Sequence, residues 1–305
     1  MATPIGGPRA VADRPVLPGW IRTRPPAGPR YVGLKDTLEQ LHLGTVCREA
    51  RCPNLAECWS AGTATIMLLG TECTRRCGFC AVETRWPRGV VDPGEPARVA
   101  EAIARSGLRY VVLTQVCRDD LSDGGAAHMA RTVRELRERA PGVRVELLIG
   151  DLAGSEPALR TVLADTPEVL AHNLETVRSL SDRVRDRRAA YGQSLAVLAR
   201  AKELGPPGLV TKSSIMLGLG ESDIEVGQAL DDLRGAKVDL VTFGQYLRPT
   251  RGHLPVERFV PPEEFDRWAA EAERRGFAGV ASGPLVRSSY RADELFERAH
   301  LGRGH

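Results

Sequence analysis

The sequence predicts an α/β fold built on a parallel sheet, and three observations point there. Short β-branched apolar runs alternate with longer segments of helical period, the pattern of parallel strands joined by crossover helices. Several helical segments stop at glycine, the usual residue just past a helix C-terminus. A cysteine-dense loop directly follows the first strand, where parallel α/β folds keep their functional groups. The strand runs are 64–69, 110–114, 143–149, 169–171, 209–217 and 238–243. Six strand–helix units suit a partial (β/α)6 barrel.

Taken in order, residues 1–30 hold seven prolines and little periodicity, which predicts a flexible arm. A short helix is expected at 35–43, inside an N-terminal extension of 31–62. The barrel core covers 63–260. Its helices are expected at 96–106, before Gly107; at 126–140, before Pro141 and Gly142; and at 155–163, opened by Ser155 as N-cap. Two more follow, at 193–204 before Gly205, and at 222–233, where Ser222 and Glu225 match a capping box. A C-terminal extension, 261–305, carries an amphipathic helix at 262–275 and a short strand at 277–282. That strand returns residues 287–290 towards the core.

Composition narrows the function class. The chain has 305 residues, 42% of them hydrophobic, enough for a sizeable core. Its 42 basic and 39 acidic residues leave a net charge of +3, too balanced for a nucleic-acid partner. No apolar run approaches the roughly 18 residues of a spanning helix, so no membrane role is expected. With no secretory h-region at the start, the seven cysteines point to a reducing, cytoplasmic setting.

Six of those cysteines form two triplets. Cys47, Cys52 and Cys58 are spaced C-x4-C-x5-C, and Cys73, Cys77 and Cys80 are spaced C-x3-C-x2-C. Disulfides would need an oxidising compartment. Zinc usually takes four ligands, often in C-x2-C pairs, and neither triplet offers that or a histidine at ligand spacing. Thiolates gathered by one tight loop also suit an iron–sulfur cluster, one thiolate per iron. Three ligands on a four-iron cube leave one iron open to an exchangeable ligand.

The second triplet, with Phe79 before Cys80, resembles the signature of radical S-adenosylmethionine (SAM) enzymes. The stretches around Cys52–Cys58 and Cys73–Cys80, with Arg287-Ser288-Ser289-Tyr290 near the end, closely resemble the lipoyl synthase family. The resemblance runs from about Tyr31 to the C-terminus. It implies a partial (β/α)6 TIM-type barrel with N- and C-terminal extensions, two [4Fe–4S] clusters and SAM. Cys73, Cys77 and Cys80 would hold the SAM-cleaving cluster. Cys47, Cys52, Cys58 and Ser289, with Ser288 as the alternative, would hold an auxiliary cluster that donates sulfur. A hard alkoxide is mismatched to such a site, and a labile Fe–O bond would let one iron leave. The implied reaction inserts two sulfur atoms, at C6 and C8 of a protein-bound octanoyl-lysyl chain. Unactivated C–H bonds require a radical, which the cofactor supplies.

The implied partners are an octanoylated lipoyl-carrier domain, of a 2-oxoacid dehydrogenase E2 or the glycine cleavage H protein, and an electron donor such as ferredoxin or flavodoxin. The segment from His172 to Thr176 resembles the family's HNLET motif, and Asn173 and Glu175 would contact the cofactor. Gly218, Gly220 and Glu221 resemble its glycine-rich cofactor turn. Lys212 is either a barrel-mouth charge or a substrate contact. Arg118, Asp119, Asp120 and Asp123 are expected to order a loop. Arg75, Arg76, Arg85 and Arg88 surround the cluster loop and are candidates to meet an acidic carrier. Cys117 reads as an isolated, inert thiol. The chain departs from the family pattern at Gln115, Cys117, Gly150, Ala171 and Ser214, several of them at strand ends facing the expected pocket. A sulfur-inserting paralogue acting on another acyl substrate is therefore the alternative reading.

Overall fold

A computed structural model describes residues 17–22, 28–60 and 64–301. Most of the arm expected at 1–30 lies outside the described residues. The strands are β1 Gly44–Thr45, β2 Thr65–Leu68, β3 Glu72–Cys73, β4 Glu83–Thr84, β5 Tyr110–Gln115, β6 Arg144–Leu148, β7 Val169–Ala171, β8 Val210–Leu217, β9 Leu240–Gln245 and β10 Gly279–Gly283. The helices are α1 Pro29–Gln40, α2 Val46–Glu49, α3 Leu55–Ser60, α4 Glu95–Ser106, α5 Ala126–Arg139, α6 Glu156–Leu163, α7 Ser181–Val184, α8 Tyr191–Leu204, α9 Asp223–Gly235, α10 Pro262–Arg274 and α11 Ala292–Leu301.

Eight strands form one sheet in the order β1-β2-β5-β6-β7-β8-β9-β10. All neighbours are parallel except β1, which pairs antiparallel with β2. The order ends at β1 and β10 without joining them, so the barrel is partial. The six expected strands are all present, and each extension adds one at an edge. The C-terminal strand continues the barrel, with Gly279 opposite Leu240. β2 and β9 are buried along their whole length, as parallel strands covered on both faces are.

Local signals act where expected. The Ser222–Glu225 capping box closes, Ser155 accepts from the Ala158 amide at 3.3 Å, and Gly107 ends α4 at φ 62°. α1 starts at Pro29, earlier than expected, because proline at the first helical position presets φ. Helix α11 was not anticipated. Its Ala292, Leu295, Phe296 and Ala299 pack against Tyr110, Val169, Val210 and Leu240, the first residues of β5, β7, β8 and β9. The C-terminal extension therefore covers the N-terminal ends of the strands.

Lys212 is neither a mouth charge nor a substrate contact. It is fully buried, with its ammonium 2.9 and 3.0 Å from the Glu146 carboxylate, which also accepts from the Tyr110 hydroxyl at 2.7 Å. Truncating one partner of such a pair leaves an unpaired buried charge. Lys212→Met is expected to cost about 3–5 kcal/mol, and joint replacement with Glu146→Leu to restore much of it. Urea denaturation of the two variants measures both values.

Candidate functional site

The second cysteine triplet sits on the loop after β2. Residues 72 and 83 pair, as do 73 and 84, closing the base of the loop. Cys73 lies on that base, and a turn brings the Cys80 amide to the Cys77 carbonyl at 3.1 Å. Arg75 staples the loop to the barrel. It is buried, and its guanidinium reaches Asp119 at 2.7 Å and Asp151 at 2.7 Å, at the ends of β5 and β6. Burial alone would raise both carboxyls, but Arg75 holds them below the ordinary carboxylate value. From the other side, His253 reaches the Cys80 carbonyl at 2.9 Å, and the Asp186 amide donates to the Cys77 sulfur at 3.3 Å. Arg75 is thus a structural staple unavailable to a carrier, whereas Arg76, Arg85 and Arg88 are exposed.

Cys117 is not isolated. Its thiol lies beside Cys73, and the two sulfurs interact electrostatically. A Cβ at Gly150 would stand 3.0 Å from the Cys117 sulfur and 3.3 Å from the Gln115 side chain. Three of the departures from the family pattern are therefore one packed feature.

The first triplet is carried by two short helices. Cys47 lies on α2, Cys52 in the turn that follows and Cys58 on α3. The C-terminal segment is tied across them. Asn54 donates to the Leu285 carbonyl, the Thr65 hydroxyl donates to Ser289 at 2.8 Å, and the Tyr290 hydroxyl donates to Glu57 at 2.8 Å. Gly244 on β9 lets this segment pass, since a Cβ there would meet the Val286 carbonyl oxygen at 2.1 Å. Arg287 is half-buried beside Cys52.

Both triplets, Ser288 and Ser289 line a single cavity of about 470 Å³. Its donor set fits thiolate-held clusters. Burial, then neighbouring sulfurs, push Cys58 and Cys80 up to about 12, and burial pushes Cys77 up to about 11. Metal coordination would favour the thiolate form against that burial cost. Among the described residues, no group of three His, Cys, Asp or Glu side chains could hold a single metal ion, an arrangement that one thiolate per iron does not require. The cavity also presents buried oxygens without partners, on Gln115, Asn173 and Asn54, so its wall offers acceptors to a polar ligand.

Asn173 and Glu175 reach this wall. The Asn173 amide donates to the Glu175 carboxylate at 3.1 Å, and Glu175 is held at φ 71° in an isolated bridge with Ile215. Gly218, Gly220 and Glu221 are not brought there. The Glu221 carboxylate folds back onto the Gly218 and Leu219 amides at 2.6 and 2.9 Å. A Cβ at Gly218 would meet Gln245 at 2.3 Å. In this structure the turn packs against Gln245 and stands outside the cavity lining. Arg118 and Asp120 order a loop as expected, and Asp123 accepts the first amides of α5.

Arg185 was missed. It is hidden in a run of arginines, and no spacing marks it out. The fold buries it in the cavity wall, where it donates to Ser194 at 2.7 Å. Ser194 in turn donates to His172, whose other ring nitrogen donates to the Ile149 carbonyl at 2.9 Å. Burial, then the charge of Arg185, lowers His172 to about 4. Its folded value lies below the ordinary 6.5, so the stability it provides is complete above pH 6.5 and is lost as pH falls towards 4. Unfolding free energy is expected to fall by about 3 kcal/mol over that window on this account. Denaturation titrations at pH 7 and 4.5 should show a shallower slope for His172→Asn.

The sequence model of the radical SAM superfamily matches residues 67–233, and that of the N-terminal domain of lipoyl synthase matches residues 8–52. The chain is 60% identical to the lipoyl synthase of Thermus thermophilus, over 92% of this chain and 87% of that one. It is 56% identical to that of Halorhodospira halophila, over 93% and 85%. It is 54% identical to the mitochondrial lipoyl synthase of Zygosaccharomyces rouxii, over 94% and 75%. Among solved structures, the FeFe-hydrogenase maturase of Carboxydothermus hydrogenoformans shares the fold, with a TM-score of 0.57 at 14% identity over 77% of this chain and 55% of that one. Methylornithine synthase does so at 0.50 and 17% identity, over 74% and 67%.

Proposed function

This chain belongs to the lipoyl synthase family of radical SAM enzymes, and from that premise we propose how its two thiol triplets divide the work. It is a sulfur-inserting enzyme. Cys73, Cys77 and Cys80 hold the cluster that binds SAM. Cys47, Cys52, Cys58 and Ser289 hold an auxiliary cluster whose sulfide is consumed. When bound, the two clusters and SAM supply the 5′-deoxyadenosyl radical and the sulfur. The observation that carries this reading is that both triplets and Ser289 open on one cavity.

The chain's own residues bind and enclose. Asn173, Glu175, Gln115 and Arg185 offer a carboxylate, two unpartnered oxygens and a fixed cation to the polar groups of SAM. Ser289 is kept within reach of the first triplet by Thr65, while Tyr290 and Asn54 lock its segment in place. The substrate is an octanoyl-lysyl chain on a lipoyl-carrier domain of a 2-oxoacid dehydrogenase or the H protein, sulfurated at C6 and C8. Exposed Arg76 and Arg88 flank the cluster loop in sequence and are available to acidic groups of that carrier, whereas exposed Arg85 is paired with Glu72 and Glu83 at 3.1 Å. Ferredoxin or flavodoxin supplies electrons. A reducing, cytoplasmic location suits thiols kept for cluster ligation rather than for disulfides. Among the described residues no helix is long and apolar enough to cross a membrane.

The test is anaerobic incubation of the reduced, reconstituted enzyme with SAM and an octanoyl-lysyl carrier peptide. Mass spectrometry should show a gain of two sulfur atoms and two 5′-deoxyadenosines per product. SAM cleavage without any sulfurated peptide would reject the substrate assignment.

A further inference from the structure

We propose that Glu95 and His128 are a positioning pair for the radical-generating cluster, a role that rests on the assignment of that cluster to Cys73, Cys77 and Cys80. Strand β2 leaves the sheet through Leu69 and Gly70, at φ 67° and 85°. Leucine rarely adopts the left-handed region, and the surroundings must hold it there. Two successive amides point at one carboxylate: Leu69 donates to Glu95 at 2.7 Å and Gly70 at 3.3 Å. The same Glu95 oxygen that takes the Leu69 amide lies 2.7 Å from His128 Nε2. A carboxylate only accepts, so that ring nitrogen carries the proton.

The clamp is closed from the other sides. Arg118 donates to the Leu69 carbonyl at 3.3 Å. The Leu69 side chain lies over Gly125, which sits at φ 90° and where a Cβ would stand only 2.2 Å from a Leu69 methyl, so glycine lets the start of α5 fit closely against the turn. Glu95 itself is buried. Cys73 follows Gly70 by three residues, so the backbone angles at Leu69 and Gly70 aim the first sulfur of the loop. Neither Glu95 nor His128 lines the cavity. Each acts through the turn alone and touches no reacting group.

Glu95→Gln tests this. Glutamine keeps the shape but has one accepting oxygen, and its NH2 must face an amide or the His128 N–H, donor against donor. In the apo chain, hydrogen exchange at Leu69 and Gly70 should accelerate. In the reconstituted enzyme the iron content should match wild type, while 5′-deoxyadenosine released per sulfur inserted should rise roughly tenfold, the kind of loss a small misplacement produces. His128→Phe leaves both amide bonds in place and should raise the ratio by less; it decides the matter if Glu95→Gln fails to fold. A merely structural pair would lower the melting temperature and leave that ratio at its wild-type value, and this result overturns the proposal. Wild-type enzyme that cleaves no SAM would instead sink the cluster assignment, and this role with it.

Discussion

Alanine at position 52 will stop sulfur insertion and leave SAM cleavage running. Cys52 lies between Cys47 and Cys58 in the first triplet, in the turn that joins α2 to α3. Its loss leaves two thiolates and the weakly matched serine oxygen, so two irons of the cube would lack a thiolate or firm ligand. The Cys73 loop does not depend on that turn. It is held by Arg75, Asp119, Asp151 and His253, none of which contacts the first triplet. Iron content should therefore fall from about eight to about four per chain. Chromatography should show 5′-deoxyadenosine near the wild-type rate, and mass spectrometry no sulfurated peptide. Full product formation by Cys52→Ala would remove the first triplet as the sulfur source.

Arg75→Met is expected to have the reverse pattern. Its guanidinium compensates Asp151, which has no exposed side-chain surface, and Asp119, which has little. Without it two carboxylates stay buried beside a loop that must also gather three thiolates. The expected cost is about 3–5 kcal/mol, concentrated at the loop. The radical cluster should be lost, the auxiliary one kept, and both deoxyadenosine and product should disappear. The pH response provides a second check. Asp119 and Asp151 titrate below their unfolded values because of Arg75, so their contribution is complete above the usual carboxylate range near pH 4 and is lost as pH falls through the depressed values. Arg75→Met should unfold with a weaker dependence on pH in that acid window. An unchanged acid limb, or normal SAM cleavage, would remove Arg75 as the staple of the loop.

Some residues could not have been assigned from sequence, for definite reasons. Arg185 gains its role only because Ser194 and His172, from other segments, fix its guanidinium in the cavity wall. Lys212 lies on a strand that was correctly located, yet its partner Glu146 is two strands away and their pairing depends on sheet order. Gly218 and Gly220 carry a motif that suggests close ligand approach, and at Gly218 the same freedom from a Cβ serves the passage of Gln245 and the Arg258 carbonyl. A glycine reports that something comes near, but not what it is.

The amino-acid sequence by itself determined the alternation of strands and helices, the cysteine spacings and the distant Arg-Ser-Ser-Tyr segment, because these are local properties of period and ligand chemistry. Only the tertiary structure decided that the two triplets share one cavity, that Cys117 leans on Cys73, and that α11 covers the far end of the barrel. Those facts arise from contacts between residues as much as 233 positions apart along the chain, such as Thr65 with Ser289 and Glu57 with Tyr290. No local pattern encodes them, since they exist only once burial has brought the segments together.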